Sequence, residues 1–346
     1  MAVSNTAWEN LSNQAVAAAG VVYFLALLVH LAEWAAMRQP AADRSLVAAG
    51  GLEKRDGAGT AGDDVTDTTA GRGERIAFLT RLGFLLTALA CAIHFVSLLG
   101  RGMAADPNRV PWGNMYEFTL SGTFVVALLY LVLYKKFALA WMGPIVVAFV
   151  LTVLMVAVIW LHDEVAPLAE SLNSPWLVIH VVSAVIATGA FTLGGIASIM
   201  FLVKSRRLRL DAERGEDAAA AGWLDRVPSL DRLDKLAYRV HAFAFPVWTF
   251  AVLITGPIWA HEAWSRYWNW DPKEVWAFIT WVVYAGYLHA RATAGWKGRK
   301  AAMLALVGLG TLWFNFIGIN YFSSTSQHAY AVERVVDVAE APPLTG

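Results

Sequence analysis

The chain has 346 residues, of which 58% are hydrophobic and 16% are charged, and its mean hydropathy is +0.50. A soluble domain cannot bury so large a share of apolar residues, so the composition indicates a polytopic membrane protein. The formal net charge is zero and the basic residues form no patch interleaved with aromatic residues, so nothing supports nucleic-acid binding. The single cysteine, Cys91, excludes an internal disulfide framework and a Cys-x-x-Cys centre.

Eight apolar runs are long enough, or nearly so, to cross a hydrocarbon core of roughly 30 Å, which takes about 20 helical residues. They lie near 15–37, 76–100, 118–134, 138–161, 176–203, 240–260, 274–291 and 301–322. These runs are too long and continuous for barrel strands, so we predict an all-α fold with about eight transmembrane helices. No basic region precedes the first run, so we expect no cleavable signal peptide.

The lysines and arginines are distributed unevenly between the two sides that these spans define. The loops 38–75, 135–137, 204–239 and 291–300, with Arg81, hold 22 of the 27 basic residues. The opposite side holds the other five, which are Arg101, Arg109, Arg266, Lys273 and Arg334. Because basic loops remain cytoplasmic, we expect both termini, the loop 261–274 and the tail 323–346 to be external.

Two of the basic loops have no pattern that suggests chemistry. Residues 38–75, between the first transmembrane helix at 1–37 and the main transmembrane domain at 76–322, are rich in Gly, Ala, Asp and Thr. We interpret this segment as a flexible cytoplasmic linker. The loop 204–239 mixes acids and bases and is typical of short amphipathic helix on the cytoplasmic surface.

The external loop 101–117 ends in the sequence Pro-Trp-Gly-Asn-Met-Tyr-Glu. Its simplest interpretation is a turn with interfacial aromatic residues, placed just before the third span. Glu117 stands at the membrane edge, where an ionised carboxylate is costly without a partner. We therefore expect Glu117 to accept hydrogen bonds from neighbouring external loops.

The external loop 261–274 and the helix after it contain five tryptophans within eighteen positions: Trp264, Trp268, Trp270, Trp276 and Trp281. Asp271 is a suitable N-cap, Pro272 suits the first helical position, and Glu274 completes a capping box. Tryptophan is common at membrane interfaces, so an anchoring belt is the general explanation. The density of rings favours instead a wall for a large flat ligand.

Two histidines are expected on the same side as the tryptophans. His180 lies about one helical turn into the fifth span, and His328 lies six residues after Phe322. Two neutral imidazoles on either side of an aromatic platform would give haem iron six-coordinate ligation. His289 is 17 positions past Pro272, or roughly 25 Å along the helix, so it cannot share that iron.

These segments together resemble the cytochrome c biogenesis proteins of the CcsA (ResC) type, which are called CcsB in some bacteria. The resemblance covers about 94–328 and is most specific over 264–291, where Trp-x-x-x-Trp-x-Trp-Asp-Pro-Lys-Glu stands. Two positions depart from the usual pattern. Ser265 replaces a glycine, and the usual Gly-Leu-His-Ser around the last histidine is Ser326-Gln327-His328-Ala329.

The resemblance implies haem delivery and attachment to apocytochrome c, by a subunit of a cytochrome c synthase that works with a ResB-type membrane partner. It implies haem b as the cofactor and a multi-pass position in a bacterial cell membrane, with the thylakoid membrane as the alternative. By position, His180 and His328 match the external iron ligands and His289 the intramembrane ligand. The other haem-binding positions it implies are Trp112, Asn114, Glu117, Trp264, Trp268, Trp270 and Asp271.

Three other functions stay open at this point. A b-type electron-transfer protein would pair deep histidines such as His30, His241 and His289 around permanent haems. A haem chaperone of the related multi-component assembly system would share the tryptophan motif, but the sequence Pro-Trp-Gly-Asn-Met-Tyr-Glu argues against it. An inert scaffold for other subunits would bind no haem.

Overall fold

The computed structural model describes residues 4–37, 62–165, 174–213, 224, 226–323 and 326, with the backbone alone for 62–70. In this part of the chain the regular structure is helical throughout, which confirms the predicted all-α class. The elements are α1 (Asn5–Ala36), α2 (Gly62–Ala104), α3 (Met115–Leu133), α4 (Gly143–Trp160), α5 (Pro175–Glu213), α6 (Leu230–Thr249), α7 (Gly256–Trp264), α8 (Pro272–Ala292), α9 (Arg299–Trp313) and α10 (Ile319–Phe322). A 3₁₀ turn (Leu139–Met142) precedes α4, and π-helical segments join α6 to α7 (Phe250–Thr255) and α9 to α10 (Phe314–Gly318).

Seven stretches of the described chain are helices long and apolar enough to cross a membrane. Counting α6 with α7 as one span and α9 with α10 as another, they coincide with seven of the eight predicted runs. The remaining run forms α8, which has 21 residues and is roughly 32 Å long. Its tryptophans, tyrosines and terminal charges make α8 less apolar than the other spans.

Helix α2 begins at Gly62, inside the segment 38–75 that the sequence predicts to be a flexible linker. The helix therefore extends into the predicted linker over 62–75, while residues 38–61 lie outside the described part.

Contacts between loops show which helix ends lie together. Arg101 at the end of α2 contacts Glu9 of α1, Ser174 bonds to Glu262, and Ser326 bonds to Asp271. We call this the tryptophan end of the bundle. At the opposite end, which we call the basic end, Arg291 of α8 forms a two-point ion pair with Asp234 of α6.

Helices α1 and α2 pack along each other through a line of buried polar side chains, which we call the polar seam. Near the tryptophan end, Ser12 donates to the carbonyl of Ser97 at 2.8 Å. Further along, His30 lies 3.3 Å from the hydroxyl of Thr87. At the basic end, the buried carboxylate of Glu33 is bonded by Thr80 and paired with Arg226. The polar seam thus extends along most of the membrane-spanning length of both helices.

Glycines allow two buried aromatic rings to approach helix backbones closely. A Cβ atom at Gly194 would lie 2.6 Å from the His241 ring, and one at Gly308 would lie 2.8 Å from the Tyr284 ring. The Tyr284 ring is also stacked on Phe191, with centroids 3.8 Å apart. These rings are therefore held on several sides and have little room to shift.

We predict that Gly308→Ala lowers the free energy of unfolding by about 1–3 kcal/mol, because the new methyl group overlaps the enclosed Tyr284 ring. The matched control is Gly310→Ala on the same helix, where no atom lies within 4 Å of the added Cβ. Alanine there favours the helix by about 0.5–1 kcal/mol. Thermal unfolding in detergent measures both changes, and equal midpoints for the two variants would contradict the close packing.

Candidate functional site

A cavity of about 140 Å³ lies at the tryptophan end, between α3, α5, the α6–α7 span, the start of α8 and the end of α9. Most of its lining is apolar or aromatic, including Phe118, Trp248, Trp259 and Phe316. The polar side chains on it are His180, Thr188, Lys273, Glu274 and Asn315, with Tyr267 and Trp268 from the tryptophan-rich loop. A ligand site is usually an apolar cavity on which a few polar groups converge.

His180 has a fixed orientation on the wall of this cavity. Its Nδ1 lies 2.9 Å from the backbone carbonyl of Ala251, and its ring is stacked on Trp259 at 5.9 Å with planes 12° apart. A carbonyl accepts only, so Nδ1 carries the proton and Nε2 carries the lone pair. Such a hydrogen bond is what orients a metal-ligating imidazole and raises its basicity.

The carbonyl that orients His180 belongs to the π-helical segment Phe250–Thr255. In this wider turn the Ala251 carbonyl accepts from the N–H of Gly256 and from the hydroxyl of Thr255. Pro257 follows and lacks the N–H that would continue an α-helical ladder. Gly256 leaves space for the imidazole, because a Cβ there would lie 3.2 Å from the His180 ring.

The three tryptophans predicted to form one wall occupy three different environments. Trp268 lines the cavity and contacts Trp270 edge to face at 5.9 Å. Trp264 packs on Trp259 at 4.9 Å, within a small apolar cluster next to the cavity. Trp270 is 70% exposed and has a left-handed backbone, with φ of 57°. Only Trp268 of the three is therefore on the cavity wall among the described residues.

Asp271 performs the predicted capping and also holds the chain near its C-terminus. Its Oδ2 accepts from the backbone N–H of Lys273 at 3.0 Å, while Glu274 accepts from the N–H of Asp271 at 3.1 Å. These two bonds confirm the capping box. The same carboxylate accepts from the buried hydroxyl of Ser326 at 2.8 Å. His328 lies outside the described residues.

Ser265 occupies the position where the resemblance would place a glycine. Its φ is 58°, in the left-handed region, and its N–H closes α7 on the carbonyl of His261 at 2.8 Å. Glycine is the residue that adopts this helix-ending conformation without steric cost. The chain thus keeps the turn although the side chain disfavours it.

Glu117 is fully buried in a cluster of charges that we call the carboxylate clamp. Its carboxylate accepts from Arg101 at 3.0 Å, from Arg109 at 2.7 Å and from the backbone N–H of Gly113 at 2.6 Å. Arg101 also reaches Glu9 of α1 and the backbone of residue 163. The clamp joins α1, α2, the loop before α3 and the loop after α4, as expected from the cost of an unpaired buried carboxylate.

The two other predicted residues of this loop also have structural partners. Asn114 caps α3 by accepting from the N–H of Glu117 at 2.8 Å. Trp112 donates to Ser121 at 3.0 Å and packs on the apolar cluster that contains Trp259. Trp112, Asn114 and Glu117 are not among the residues lining the cavity, so they act on it through the position of α3.

His289 lies at the other end of α8 from the cavity, in its last turn beside Arg291. Its side chain is exposed, on the same helix face as Phe278 and Val282. Residues 289 and 180 therefore belong to two separate places in the bundle. This separation agrees with the depth estimated from the sequence.

Three residues of the cavity were missed from the sequence: Trp259, Lys273 and Asn315. Lys273 was interpreted only as part of a helix start, although a cation beside an aromatic loop is a signal for an anionic ligand. Asn315 is an amide inside an apolar span, which is another signal of function. It lies in the π-helical segment Phe314–Gly318, is 7% exposed, and its Oδ1 has no hydrogen-bond partner among the described residues.

We predict that Glu117→Gln lowers the free energy of unfolding by about 3–5 kcal/mol, because the buried Arg101 loses its nearest counter-charge and keeps the more distant Glu9. The matched control is Asp231→Asn, which removes an exposed pair with Lys235 and costs below about 1 kcal/mol. Thermal and denaturant unfolding in detergent measure the difference. A loss for Glu117→Gln no larger than that of the control would show that the clamp is not structural.

Comparison with known proteins agrees with this arrangement. The family described as cytochrome C assembly protein matches residues 112–326. The cytochrome c biogenesis protein CcsA of Guillardia theta is 33% identical over 263 residues, covering 72% of this chain and 85% of its own length. The protein of the same name from Trieres chinensis is 30% identical over 275 residues, covering 73% of this chain and 87% of its own.

A solved structure shares the fold. The cytochrome c heme lyase CcmF superimposes with a TM-score of 0.57 at 13% identity, over 91% of this chain, which spans 47% of the length of that protein. At this identity the likeness shows the fold alone. The family match and the CcsA relatives show more: the chain belongs to the cytochrome c assembly protein family and acts in the biogenesis of c-type cytochromes.

Proposed function

We propose that this protein holds haem b at the tryptophan end of the bundle and presents it to apocytochrome c for thioether formation. The observation that carries this proposal is His180 on the cavity wall, whose Nδ1 bond to the Ala251 carbonyl fixes the ring in the tautomer and orientation of a metal-ligating imidazole. The name of the matching family and those of the CcsA relatives agree with a haem-handling role.

The residues of the cavity fit haem by their chemistry. Iron takes imidazole ligands, a porphyrin takes aromatic walls such as Trp259 and Trp268, and propionates take a cation such as Lys273. The cavity of about 140 Å³ is smaller than the roughly 300–1,000 Å³ of enclosed ligand pockets. The porphyrin therefore extends beyond it toward the exposed Trp270, which suits a ligand that is handed to another protein.

In this mechanism the role of the chain is to position haem and apocytochrome c relative to each other. Haem supplies vinyl groups, to which a cysteine thiol adds by forming a carbon–sulfur bond while its hydrogen passes to the other vinyl carbon. His180 would hold the iron and Trp268 would line the porphyrin, while the capping box fixes the loop that carries Trp268. Holding two reactants in one geometry replaces an encounter in solution and accounts for a large part of a rate enhancement.

The second external ligand in this proposal is His328. Support comes from Ser326, which is bonded to Asp271 at the edge of the tryptophan-rich loop. Two residues of chain span at most about 7 Å, so a ligand at position 328 is within reach of this loop.

His289 belongs, in the proposal, to a second and deeper haem position. Its exposed place on α8 suits a site completed by another membrane protein, and we propose the ResB-type subunit as that partner. The protein then works as part of a cytochrome c synthase in a bacterial cell membrane, or in a thylakoid membrane, with the tryptophan end external.

The packing of the deep histidines argues against a b-type electron-transfer protein. A Cβ at Gly83 or Gly143 would lie 2.7 or 2.6 Å from the His30 ring, so protein encloses that ring. His241 is enclosed by Gly194, Phe191, Tyr284 and Tyr287. Neither ring has a haem-sized space beside it.

We predict that His180→Gly alters the Soret band of the haem-loaded protein, because one axial position opens. Added imidazole should restore the spectrum, since it supplies the missing ligand in trans. The control is His261→Gly, a histidine at the same end that is exposed and stacked on Tyr267. If the spectra of His180→Gly match those of the unchanged protein, His180 does not ligate the iron.

We predict that Ser265→Cys is labelled by an impermeant maleimide in intact cells, while Arg209→Cys is labelled only after the membrane is permeabilised. Ser265 is exposed at the tryptophan end, and Arg209 is 61% exposed at the basic end. The expected sidedness follows from the excess of basic residues at one end. The unchanged chain is the background, because its Cys91 is buried. The opposite labelling pattern would reverse the topology and the proposed site of haem attachment.

A further inference from the structure

We propose that Lys273 and Asn315 form a binding subsite for a propionate carboxylate of haem, and that this subsite decides which edge of the porphyrin faces outward. The inference rests on the proposed function. It adds a specific contact and an orientation for the ring.

Lys273 is the cationic side chain among the described residues that line the cavity. Its Nζ donates to the Oδ1 of Asn320 at 2.9 Å, and the Nδ2 of Asn320 donates to the carbonyl of Phe316. The amide therefore orients the ammonium from a fixed position on the π-helical turn. Asp271, two positions before Lys273, interacts electrostatically with Lys273 and also accepts from its backbone N–H and from Ser326.

Glu274, the carboxylate on the cavity wall, is engaged by the tryptophan-rich loop. Its Oε2 accepts from the N–H of Asn269 at 2.9 Å and from that of Asp271 at 3.1 Å. These bonds direct the negative charge of Glu274 to the loop backbone. The cavity wall thus carries the basic side chain of Lys273 among mainly apolar ones, which favours a ligand with an anionic group.

Asn315 supplies an independent observation. It is 7% exposed, lines the same cavity, and carries an amide oxygen without a hydrogen-bond partner among the described residues. Buried polar atoms are nearly always satisfied, so an unsatisfied one on a cavity wall indicates a ligand group or water. An amide can turn either its oxygen or its NH₂ group to such a ligand, and the NH₂ group donates to a carboxylate.

The two propionates of haem stand on one edge of the porphyrin and the two vinyl groups stand away from them. An ammonium group and an amide group bind carboxylates through hydrogen bonds, whereas apolar vinyl groups cannot accept such bonds. With a propionate held at Lys273 on the cavity wall, the vinyl edge would be directed away from the cavity, toward the exposed Trp270. That is the edge that has to meet the thiols of apocytochrome c.

The test compares hemin with hemin dimethyl ester, in which both propionates are esterified and uncharged. Full-length protein in detergent is titrated with each and the Soret band gives the affinity. We expect the unchanged protein to prefer free hemin by about tenfold to a hundredfold, the range of one charge-assisted hydrogen bond. Lys273→Met should lose most of that preference by binding free hemin more weakly, with little change for the ester.

Two further variants and a control complete the experiment. Lys273→Arg should keep a preference, because it keeps the charge, and Asn315→Leu should lose part of it without touching Lys273. Arg266→Met removes an exposed cation from the same loop and should leave the preference unchanged.

The possible outcomes separate the inference from the proposed function. If Lys273→Met binds hemin tightly and prefers it to the ester as strongly as the unchanged protein does, the propionate subsite is wrong. The proposed haem site is not affected by that result. If the unchanged protein binds neither porphyrin, the proposed function is wrong, and so is the subsite that depends on it. An equal loss of preference in Arg266→Met would show a general charge effect and would also overturn the subsite.

Discussion

The buried carboxylate of Glu117 determines how the tryptophan end of the bundle is assembled. A carboxylate removed from water has to be matched by charge and by hydrogen bonds, and Arg101, Arg109 and the N–H of Gly113 provide both. These partners come from α2 and from the loop before α3. Because Arg101 also reaches Glu9, the position of α1 is tied to the same group. One charge thus sets the relative positions of three helices.

The cavity at the tryptophan end follows the same physical rule. His180 would be a costly polar ring within an apolar span, and the Ala251 carbonyl on a π-helical turn accepts a hydrogen bond from its Nδ1. The second π-helical turn brings Asn315 and Phe316 to the same cavity. Both turns lie in spans whose outer ends border the tryptophan-rich loop. Irregular helix geometry is therefore concentrated where the ligand is expected.

The sequence predicted the features that depend on local chemistry. The spans follow from apolar runs, the capping box follows from Asp271 and Glu274, and the need of Glu117 for partners follows from its place at the membrane edge. The different environments of Trp264, Trp268 and Trp270 could not be predicted, because these residues differ in tertiary packing and not in local sequence. The beginning of α2 at Gly62 was also missed, since helix formation there continues a helix that is stabilised further along.

Sequence could not assign partners across the bundle. Lys273 is two positions after Asp271 in the chain, but Asn320, the hydrogen-bond partner of its Nζ, is 47 positions away. Asn315 is recognisable as polar in an apolar run, yet only the fold shows that it faces the same cavity as His180. The proposed site depends on such long-range neighbours, which no local pattern in the sequence contains.

The polar seam between α1 and α2 has a consequence for biosynthesis. Ser12 and His30 on α1 have hydrogen-bond partners on α2, which are Ser97 and Thr87, and His30 also lies 3.5 Å from Glu33 on its own helix. Glu33 depends on Thr80 of α2 and on Arg226, which is far along the chain. A lone α1 released into lipid would leave these groups without partners, at a cost that rises with their depth. We therefore expect the first helix to enter the bilayer together with the second, as a hairpin.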